Sequence, residues 1–204
     1  MPQEDLFPAE PGNPAMEIVT GCRYFPAFLK AQDADSLLST LWNELSWQQQ
    51  KIRIFGREVK QPRLICWQSD PGINYSYSGL DLLHSPWHPK LDGLRSKMQS
   101  ELGLVFNSVL VNAYRNGQDS MGWHSDDEPE LGKAPAIASI SLGAERMFRV
   151  REKRARRSAG FILQNGSLLL MSGEFQARNQ HSVPKSKTVH DLRINLTFRR
   201  IFSV

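Results

Sequence analysis

The residues with the clearest capacity for chemistry lie in the segment 121–128, which reads MGWHSDDE. Within it, His124 and Asp126 are two positions apart, so in an extended backbone their side chains point to the same face. His181 supplies a second imidazole much farther along the chain. Two histidines and one carboxylate on one side of a metal ion leave its other positions open, the arrangement of non-haem Fe(II) oxygenases. A His-x-Asp tripeptide also occurs by chance in polar surface loops, and that alternative stays open at this point.

A second chemical pattern lies near the C-terminus, in the segment 192–200. With the period of two that a strand requires, one face is apolar and the other carries Arg193, Asn195, Thr197 and Arg199. Arginine is seldom buried without a partner, and its planar guanidinium matches a carboxylate bidentately. The polar face therefore predicts a site for a small dicarboxylate, to which Asn112 and Tyr114 on an earlier strand can add hydrogen bonds. Alternatively, the two arginines are ordinary exposed strand residues.

Two helices are predicted in the N-terminal half of the chain. The first is capped by Asp33, and its apolar stripe follows the 3.6-residue period at Leu37, Leu38, Leu41 and Leu45. The second follows Pro89 and stops at Gly103, with a stripe formed by Leu91, Leu94, Met98 and Leu102. We expect both stripes to face the core, without a chemical role.

The remaining chain has the pattern of short strands separated by glycine and asparagine. Strands are predicted over 18–24, 106–114, 136–143, 147–151, 160–163, 167–171 and 192–202, and a hairpin is predicted with arms over 48–54 and 57–67. Many short strands with such punctuation indicate a mainly β (α+β) fold of the sandwich or barrel type.

Composition limits the class of protein. The 204 residues suit one domain, and 40% hydrophobic with 23% charged residues is typical of a globular protein. Residues 1–16, rich in proline and acidic side chains, are expected to be a disordered lead-in to a single domain over 17–204. Cys22 and Cys66 form no disulfide or zinc pattern, and the sequence shows neither a signal peptide nor a membrane span. An intracellular protein with no membrane partner is therefore expected.

Basic side chains concentrate in two places, and the net charge of +4 is compatible with a polyanionic partner. The predicted hairpin carries Lys51, Arg53, Arg57, Lys60 and Arg63. Such cations also serve to block unwanted strand pairing at a sheet edge, and that alternative stays open. For the run 153–157 a solvated loop is the favoured interpretation, with a phosphate-binding patch or a localisation signal as alternatives.

Together the polar positions resemble those of a known family. The order and spacing of Asn112, Tyr114, His124, Asp126, His181, Arg193, Asn195 and Arg199 resemble the AlkB family of Fe(II)/2-oxoglutarate dioxygenases, and the match runs from about residue 47 to the end. The resemblance implies a double-stranded β-helix, or jelly roll, with N-terminal helices and a nucleotide-recognition hairpin lid over 47–79. It also implies that His124, Asp126 and His181 are the catalytic Fe(II) ligands, that the other five residues bind 2-oxoglutarate, and that O2 is consumed.

The implied reaction is oxidative DNA dealkylation. An N-alkyl group, such as that of 1-methyladenine or 3-methylcytosine, is hydroxylated, and the hydroxymethyl product releases formaldehyde. A damaged base must leave its stack to reach the iron, and its poor pairing lowers that cost. Within the family the chain resembles the member that prefers double-stranded DNA. That resemblance assigns substrate contacts to Phe55, Arg63, Trp67, Tyr75, Tyr77, Asp127 and Glu128.

Particular roles are implied for the aromatic residues of the lid. Phe55 resembles an apolar hairpin tip that fills the gap left by the flipped base, while Tyr77 and His124 sandwich that base. Tyr77 stands where the family often has phenylalanine, and Trp67 where it commonly has tyrosine. Two alternatives remain: the same chemistry on RNA or single-stranded DNA, and a nucleic-acid binding module without turnover. A monomer is expected, cytoplasmic if bacterial and nuclear if eukaryotic.

Overall fold

The computed structural model describes residues 15–54, 57–73, 76–77, 80–81, 85–155 and 158–202. Most of the predicted lead-in, the hairpin tip with Phe55, and Tyr75 lie outside the described residues. For Tyr77 only the backbone is described. None of the helices in the described part of the chain combines the length and apolar character that a bilayer crossing requires.

Strands dominate the chain. From the N-terminus the elements are β1 (Met16–Val19), β2 (Cys22–Phe25), α1 (Ala31–Glu44), β3 (Lys51–Ile54), β4 (Arg57–Lys60), β5 (Leu64–Ser69), β6 (Ser76–Tyr77), β7 (Leu80–Asp81), α2 (Pro89–Leu102), β8 (Ser108–Tyr114) and β9 (Met121–His124). They continue with β10 (Ile137–Gly143), β11 (Arg146–Glu152), β12 (Ser158–Leu163), β13 (Leu168–Met171), α3 (Phe175–Arg178), β14 (Asn179–Val183) and β15 (Arg193–Arg199).

Two antiparallel sheets form the body of the protein. The major sheet has the order β1-β2-β13-β10-β15-β8-β5, and the minor sheet has the order β12-β11-β14-β9. Neighbours in each sheet are often distant in sequence, as where β10 pairs with β15, so the chain crosses repeatedly between the two layers. This confirms the predicted mainly β architecture and is consistent with a jelly roll.

The core has two parts because the major sheet is covered on both faces. On one face the leucines of α1 and α2 pack on residues such as Ile140 and Leu196. On the other face, between the sheets, Leu169 packs in one cluster with Phe148 of the minor sheet. Every residue of the central strands β8 and β15 is consequently buried, including the polar ones, which places Arg193 and Arg199 inside the fold.

The two predicted helices are present. For α2 the prediction is confirmed, since Gly103 follows the helix with a φ of 65°, a left-handed conformation that glycine adopts without strain. For α1 the predicted cap is wrong: the N-terminal flanking residue is Lys30, and Asp33 lies in the first turn, where its carboxylate favours the positive end of the helix dipole.

The first predicted strand, over 18–24, is instead the hairpin of β1 and β2. The chain turns at Gly21, which has a φ of 79°. A Cβ at this position would lie 2.6 Å from the carbonyl oxygen of Ser172, so both the turn and the close packing require glycine. The β-branched residues 18–20 before this glycine and the aromatic residues 24–25 after it have the pattern of one continuous strand, which concealed the turn.

The second arm of the lid hairpin is shorter than predicted. Strands β3 and β4 pair with each other, but the chain then leaves the hairpin at Pro62 and enters β5, which pairs with β8 at the edge of the major sheet. Proline has no N–H to donate to a ladder, so it ends the arm at this point. The lid is therefore joined directly to the sheet that carries the polar pocket residues.

Candidate metal centre and anion pocket

The three potential metal ligands meet on the inner side of the minor sheet. His124 on β9 is the cross-strand partner of His181 on β14, and Asp126 follows β9 by two residues. One ligand atom from each of the three lies within 4.8 Å of the others. Nε2 of His181 is 3.7 Å from Oδ2 of Asp126. The pairing of β9 with β14 therefore brings His181 beside His124 and Asp126, although it is distant in sequence, so that all three can bind the same side of one metal ion.

A backbone contact fixes which nitrogen of His124 can bind a metal. Nδ1 of His124 lies 3.0 Å from the carbonyl oxygen of Gly122. Because a carbonyl oxygen only accepts, Nδ1 must carry the proton, and Nε2 keeps the lone pair that a metal requires. The strand conformation of residues 122–124 thus selects the tautomer that can act as a ligand.

Burial keeps the two imidazoles neutral. It lowers the pKa of His181 to about 3, with the neighbouring His124 adding to the effect. Burial also lowers the pKa of His124. Neutral imidazole is the form that coordinates metals, so both side chains are ready to bind at neutral pH.

Asp126 is ionised in spite of being buried. Burial alone would raise the pKa of its carboxyl group, but the guanidinium of Arg199 holds that pKa below its usual range. Nη2 of Arg199 donates to Oδ1 of Asp126 across 2.6 Å. The backbone N–H of Asp126 donates to Oε1 of Gln176 across 3.0 Å, which anchors the segment to α3. The carboxylate is therefore both charged and fixed in direction.

A pocket extends from the three ligands into the space between the sheets. Its polar lining consists of Asn112, Tyr114, His124, Asp126, Ser139, His181, Arg193, Asn195, Thr197 and Arg199. Apolar side chains such as Leu110, Phe148 and Met171 complete the walls. The structure thus brings the predicted metal ligands and the predicted dicarboxylate residues into one pocket.

Arg193 has hydrogen-bonding capacity that the described residues do not use. Its Nη2 donates to Oγ of Ser141 across 2.9 Å, and its guanidinium carbon lies 5.0 Å from the centre of the Tyr114 ring. Nε and Nη1 are buried and have no hydrogen-bond partner among the described residues. Burial lowers the pKa of Arg193 to about 10, so the side chain remains a cation at neutral pH. A buried cation with two unused donors fits a carboxylate of 2-oxoglutarate.

The two asparagines of the pocket are held by different neighbours. Nδ2 of Asn195 donates to Oγ of Ser139 and to the carbonyl oxygen of Ile140, and its Oδ1 accepts from Thr197. Oδ1 of Asn112 accepts from Nε of Arg63 across 2.8 Å. Asn195 is therefore fully engaged inside the sheet, whereas the Nδ2 group of Asn112 is left for the pocket.

The residues predicted to contact substrate occupy varied positions. Arg63 and Trp67 are buried, the first against Asn112 and the second in the core between the sheets. Asp127 is exposed and forms an ion pair with Lys153 at 2.8 Å. Glu128 immediately precedes a single 3-10 turn, Pro129–Leu131. Phe55, Tyr75 and the side chain of Tyr77 fall outside the described residues.

Sequence reasoning missed several residues that shape this pocket. Ser139 and Ser141 alternate along β10, and their spacing would have revealed a polar face opposite Thr197 and Asn195. Gln176 gave no such signal, because its contact with Asp126 depends on how α3 packs. Arg146, which is buried and donates to three backbone carbonyl oxygens, immediately precedes the strand predicted over 147–151.

Comparisons with known proteins agree with this geometry. Residues 21–199 match the model of the 2OG-Fe(II) oxygenase superfamily. The chain is 39% identical over 188 residues to human alpha-ketoglutarate-dependent dioxygenase alkB homolog 3, covering 87% of this chain and 65% of the relative. It is also 39% identical over 191 residues to mouse DNA oxidative demethylase ALKBH2, covering 88% and 80%. The chain is thus equally similar in sequence to these two relatives.

A solved structure supports the same fold. The structure of OsALKBH1 superposes with a TM-score of 0.66 at 19% identity, covering 92% of this chain and all of that one. The chain spans about 65% of the length of the alkB homolog 3 relatives that it matches. Members of the matched superfamily use Fe(II), 2-oxoglutarate and O2, and the facial ligands and the arginine pocket described above fit these groups. The chain belongs to the 2OG-Fe(II) oxygenase superfamily, among its AlkB-type members.

Proposed function

We propose that this protein is an Fe(II)/2-oxoglutarate-dependent dioxygenase that removes N-alkyl groups from DNA bases. The observation that carries the proposal is the placement of His124, Asp126 and His181 beside the buried, incompletely bonded cation of Arg193. The name of the mouse relative, DNA oxidative demethylase, supports DNA as the substrate. When bound, the iron supplies the oxidative chemistry that hydroxylates the N-alkyl carbon at the expense of O2 and 2-oxoglutarate.

The chain's own residues prepare the site for that chemistry. Asp126 and the two histidines hold the metal on one side. Arg193 holds one carboxylate of 2-oxoglutarate through a guanidinium that is already desolvated, which strengthens the interaction and excludes water. Arg199 keeps Asp126 ionised and oriented. The hydroxymethyl group that results on the base is unstable and leaves as formaldehyde.

Several features support a structural role for the lid in holding duplex DNA. Strands β3 and β4 form a separate two-stranded hairpin that is connected to the edge of the major sheet. Its described lysines, Lys51 and Lys60, are exposed, and lysines on such an arm contact phosphates without sequence preference. In this proposal Phe55 enters the stack where the damaged base has left, and Tyr77 stacks on the flipped base opposite His124.

The direct test is repair of a 1-methyladenine lesion after anaerobic loading with iron. Single-stranded and duplex oligonucleotides of one sequence are compared, with loss of the methyl group measured by mass spectrometry. We expect repair of both and faster repair of the duplex. Retention of the lesion in both substrates, in a protein that carries iron and binds 2-oxoglutarate, would overturn DNA dealkylation and favour an RNA substrate or a binding role.

Two variants test the proposed lid contacts. Phe55→Ala should slow duplex repair strongly and single-strand repair little, whereas Phe202→Ala, at an exposed phenylalanine near the C-terminus, should affect neither. Tyr77→Ala should reduce lesion processing far more than Tyr77→Phe, because stacking contributes roughly 1–3 kcal/mol per base. Parallel losses on both substrates, with a lower melting temperature, would show that Phe55 supports the fold.

The binding-module alternative is disfavoured by the composition of the metal cluster. A structural metal site is usually closed by a fourth protein ligand, commonly Cys or His. In the part of the chain that the structure describes, the cluster consists of His124, Asp126 and His181, and neither cysteine belongs to it. Uncoupled consumption of 2-oxoglutarate by the iron-loaded protein would exclude the binding module without reference to the nucleic acid.

A further inference from the structure

Arg63 occupies a junction between the lid and the pocket. It precedes β5, directly after the proline at which the chain leaves the hairpin. Only 4% of its surface is exposed, and its Nε donates to Oδ1 of Asn112 across 2.8 Å. Asn112, which is 6% exposed, lies on β8 and lines the pocket. A charged side chain from the lid junction thus contacts a pocket residue inside the fold.

The chemistry of the contact fixes the orientation of the Asn112 side chain. A guanidinium has only donors, so the atom of the amide that faces Arg63 must be the oxygen. The Nδ2 group, with its two N–H donors, then points away from Arg63. If the amide were reversed, two donors would face each other and the pocket would receive an acceptor instead. An anionic co-substrate needs donors from its pocket, and it would be repelled by that acceptor.

We propose that Arg63 is a positioning residue for 2-oxoglutarate, which acts by holding the Asn112 amide with its Nδ2 group toward the pocket. This inference rests on the proposed use of 2-oxoglutarate, and it gives Arg63 a role distinct from contact with the nucleic acid. Arg63 does not touch the co-substrate in this arrangement. Its effect on affinity passes entirely through Asn112.

The same contact links the lid to the co-substrate. The N–H of Gln61 donates to the carbonyl oxygen of Gln50, and the carbonyl oxygen of Pro62 accepts from the N–H of Ser120. Arg63 is therefore held between the base of the hairpin and the segment that leads into β9. A shift of the hairpin base would move the guanidinium and release the amide of Asn112. In this proposal, binding of nucleic acid by the lid and affinity for 2-oxoglutarate are coupled through the Arg63 side chain.

The test is a double-mutant cycle on binding of 2-oxoglutarate to the Mn(II)-loaded full chain, measured by calorimetry without nucleic acid. Arg63→Met removes the donor and keeps the length of the side chain, and Asn112→Ala removes the amide. We expect Arg63→Met to raise the Kd about 10-fold in the parent chain, the loss of one oriented hydrogen bond. In the Asn112→Ala background the same change should leave the Kd unaltered.

Two controls separate positioning from a general structural effect. Arg63→Lys, which keeps a cationic donor, should recover part of the affinity. Arg95→Met removes an arginine of α2 that is paired with Asp70 and Asp92, and should not change the Kd. Melting temperatures of all variants are recorded in the metal-loaded state. Equal effects of Arg63→Met in both backgrounds would overturn the proposal, because the effect would not pass through Asn112.

The remaining outcomes are also informative. An unchanged Kd in Arg63→Met with weaker binding to a lesion-bearing oligonucleotide would overturn positioning and support direct substrate contact. Normal binding of 2-oxoglutarate without DNA repair would refute the proposed substrate but leave the role of Arg63 standing. Absence of 2-oxoglutarate binding in the parent chain would overturn both.

Discussion

Nη2 of Arg199 lies 2.6 Å from Oδ1 of Asp126, and both side chains are buried. The polar face of β15 predicts Arg199 as a residue for a small dicarboxylate, and the structure pairs it with the carboxylate of the metal-binding cluster. One guanidinium therefore connects the pocket for the co-substrate with the cluster for the metal. The position of Asp126 depends on a strand far from it in sequence.

Replacing Arg199 should damage the fold as well as the site. In Arg199→Met the carboxylate of Asp126 loses its charged partner while staying buried, and breaking such a pair typically costs about 3–5 kcal/mol. We expect a loss of this order in the free energy of unfolding of the metal-free protein, measured by urea denaturation. Mn(II) affinity should also fall. Arg199→Lys should retain part of both, and unchanged stability in Arg199→Met would contradict the importance of the pair.

Gln176 should influence metal affinity although it does not belong to the ligand set. Its Oε1 accepts from the N–H of Asp126, and its Nε2 lies 3.6 Å from the sulfur of Met171. Removing partners that orient a ligand typically weakens metal binding 10–100-fold. Gln176→Leu should do so in a Mn(II) titration. Gln180→Leu, at a glutamine bonded to Arg151, is the matched control and should bind Mn(II) normally.

Arg193→Met should separate stability from co-substrate binding. Burial lowers the pKa of Arg193 to about 10, which shows that the folded protein disfavours its charge, and two of its donors are unused. Replacement by an apolar side chain should raise the free energy of unfolding of the ligand-free protein by about 1–2 kcal/mol. Binding of 2-oxoglutarate, followed by calorimetry, should become at least about 100-fold weaker, since a charged bidentate contact is lost.

Arg146→Met is a control for Arg193→Met, because its effect on the free energy of unfolding should have the opposite sign. It is equally buried, but it donates to the carbonyl oxygens of Asn116, Asp119 and Pro184. Arg146→Met would leave those carbonyls without this donor and should lower the free energy of unfolding by about 3 kcal/mol or more. If both variants lost stability alike, the unused donors of Arg193 would not be a source of instability.

The two cysteines should be unreactive in the folded protein. Burial raises the pKa of Cys22 to about 12 and that of Cys66 to about 11, so the nucleophilic thiolate is scarce at pH 8. Iodoacetamide should label neither residue until denaturant is added. Unfolded thiols ionise near pH 9 whereas the folded ones stay protonated, so the free energy of unfolding should fall as the pH rises above about 9. Rapid labelling of the native protein would contradict this.

Sequence patterns predicted the parts of the protein that are locally encoded. The stripe of α2 and its terminal Gly103 follow from helical periodicity and glycine conformation. The alternation along β15 correctly separated its apolar from its polar face, because strands have a strict period of two. The burial of the polar face does not follow from this alternation, since a sequence does not show whether a sheet is covered on both sides.

The strands that carry the histidines were not predicted. β9, with the sequence MGWH, and β14, with the sequence NQHSV, are short, and in each a histidine stands where an alternating strand would have an aliphatic core residue. Strands are recognised in a sequence by the alternation of apolar and polar residues. Where metal ligands take the place of apolar residues that alternation is interrupted, so the strands that carry the ligands are the hardest to find. The contacts of Arg63 with Asn112 and of Gln176 with Asp126 depend on tertiary packing, and no local pattern encodes them.

The charged lining of the pocket has a consequence for the resistance of the protein to proteolysis. Among the described lining residues, Arg193 and Arg199 are opposed by the single carboxylate of Asp126, so the interior carries excess positive charge until a small dianion enters. A ligand that binds only the folded state stabilises it, by about 2.7 kcal/mol at a concentration 100 times its Kd. We therefore expect succinate and similar dicarboxylates to slow proteolysis of the chain. Through this pocket, the supply of organic acids would govern how much of the protein survives, in addition to how fast it works.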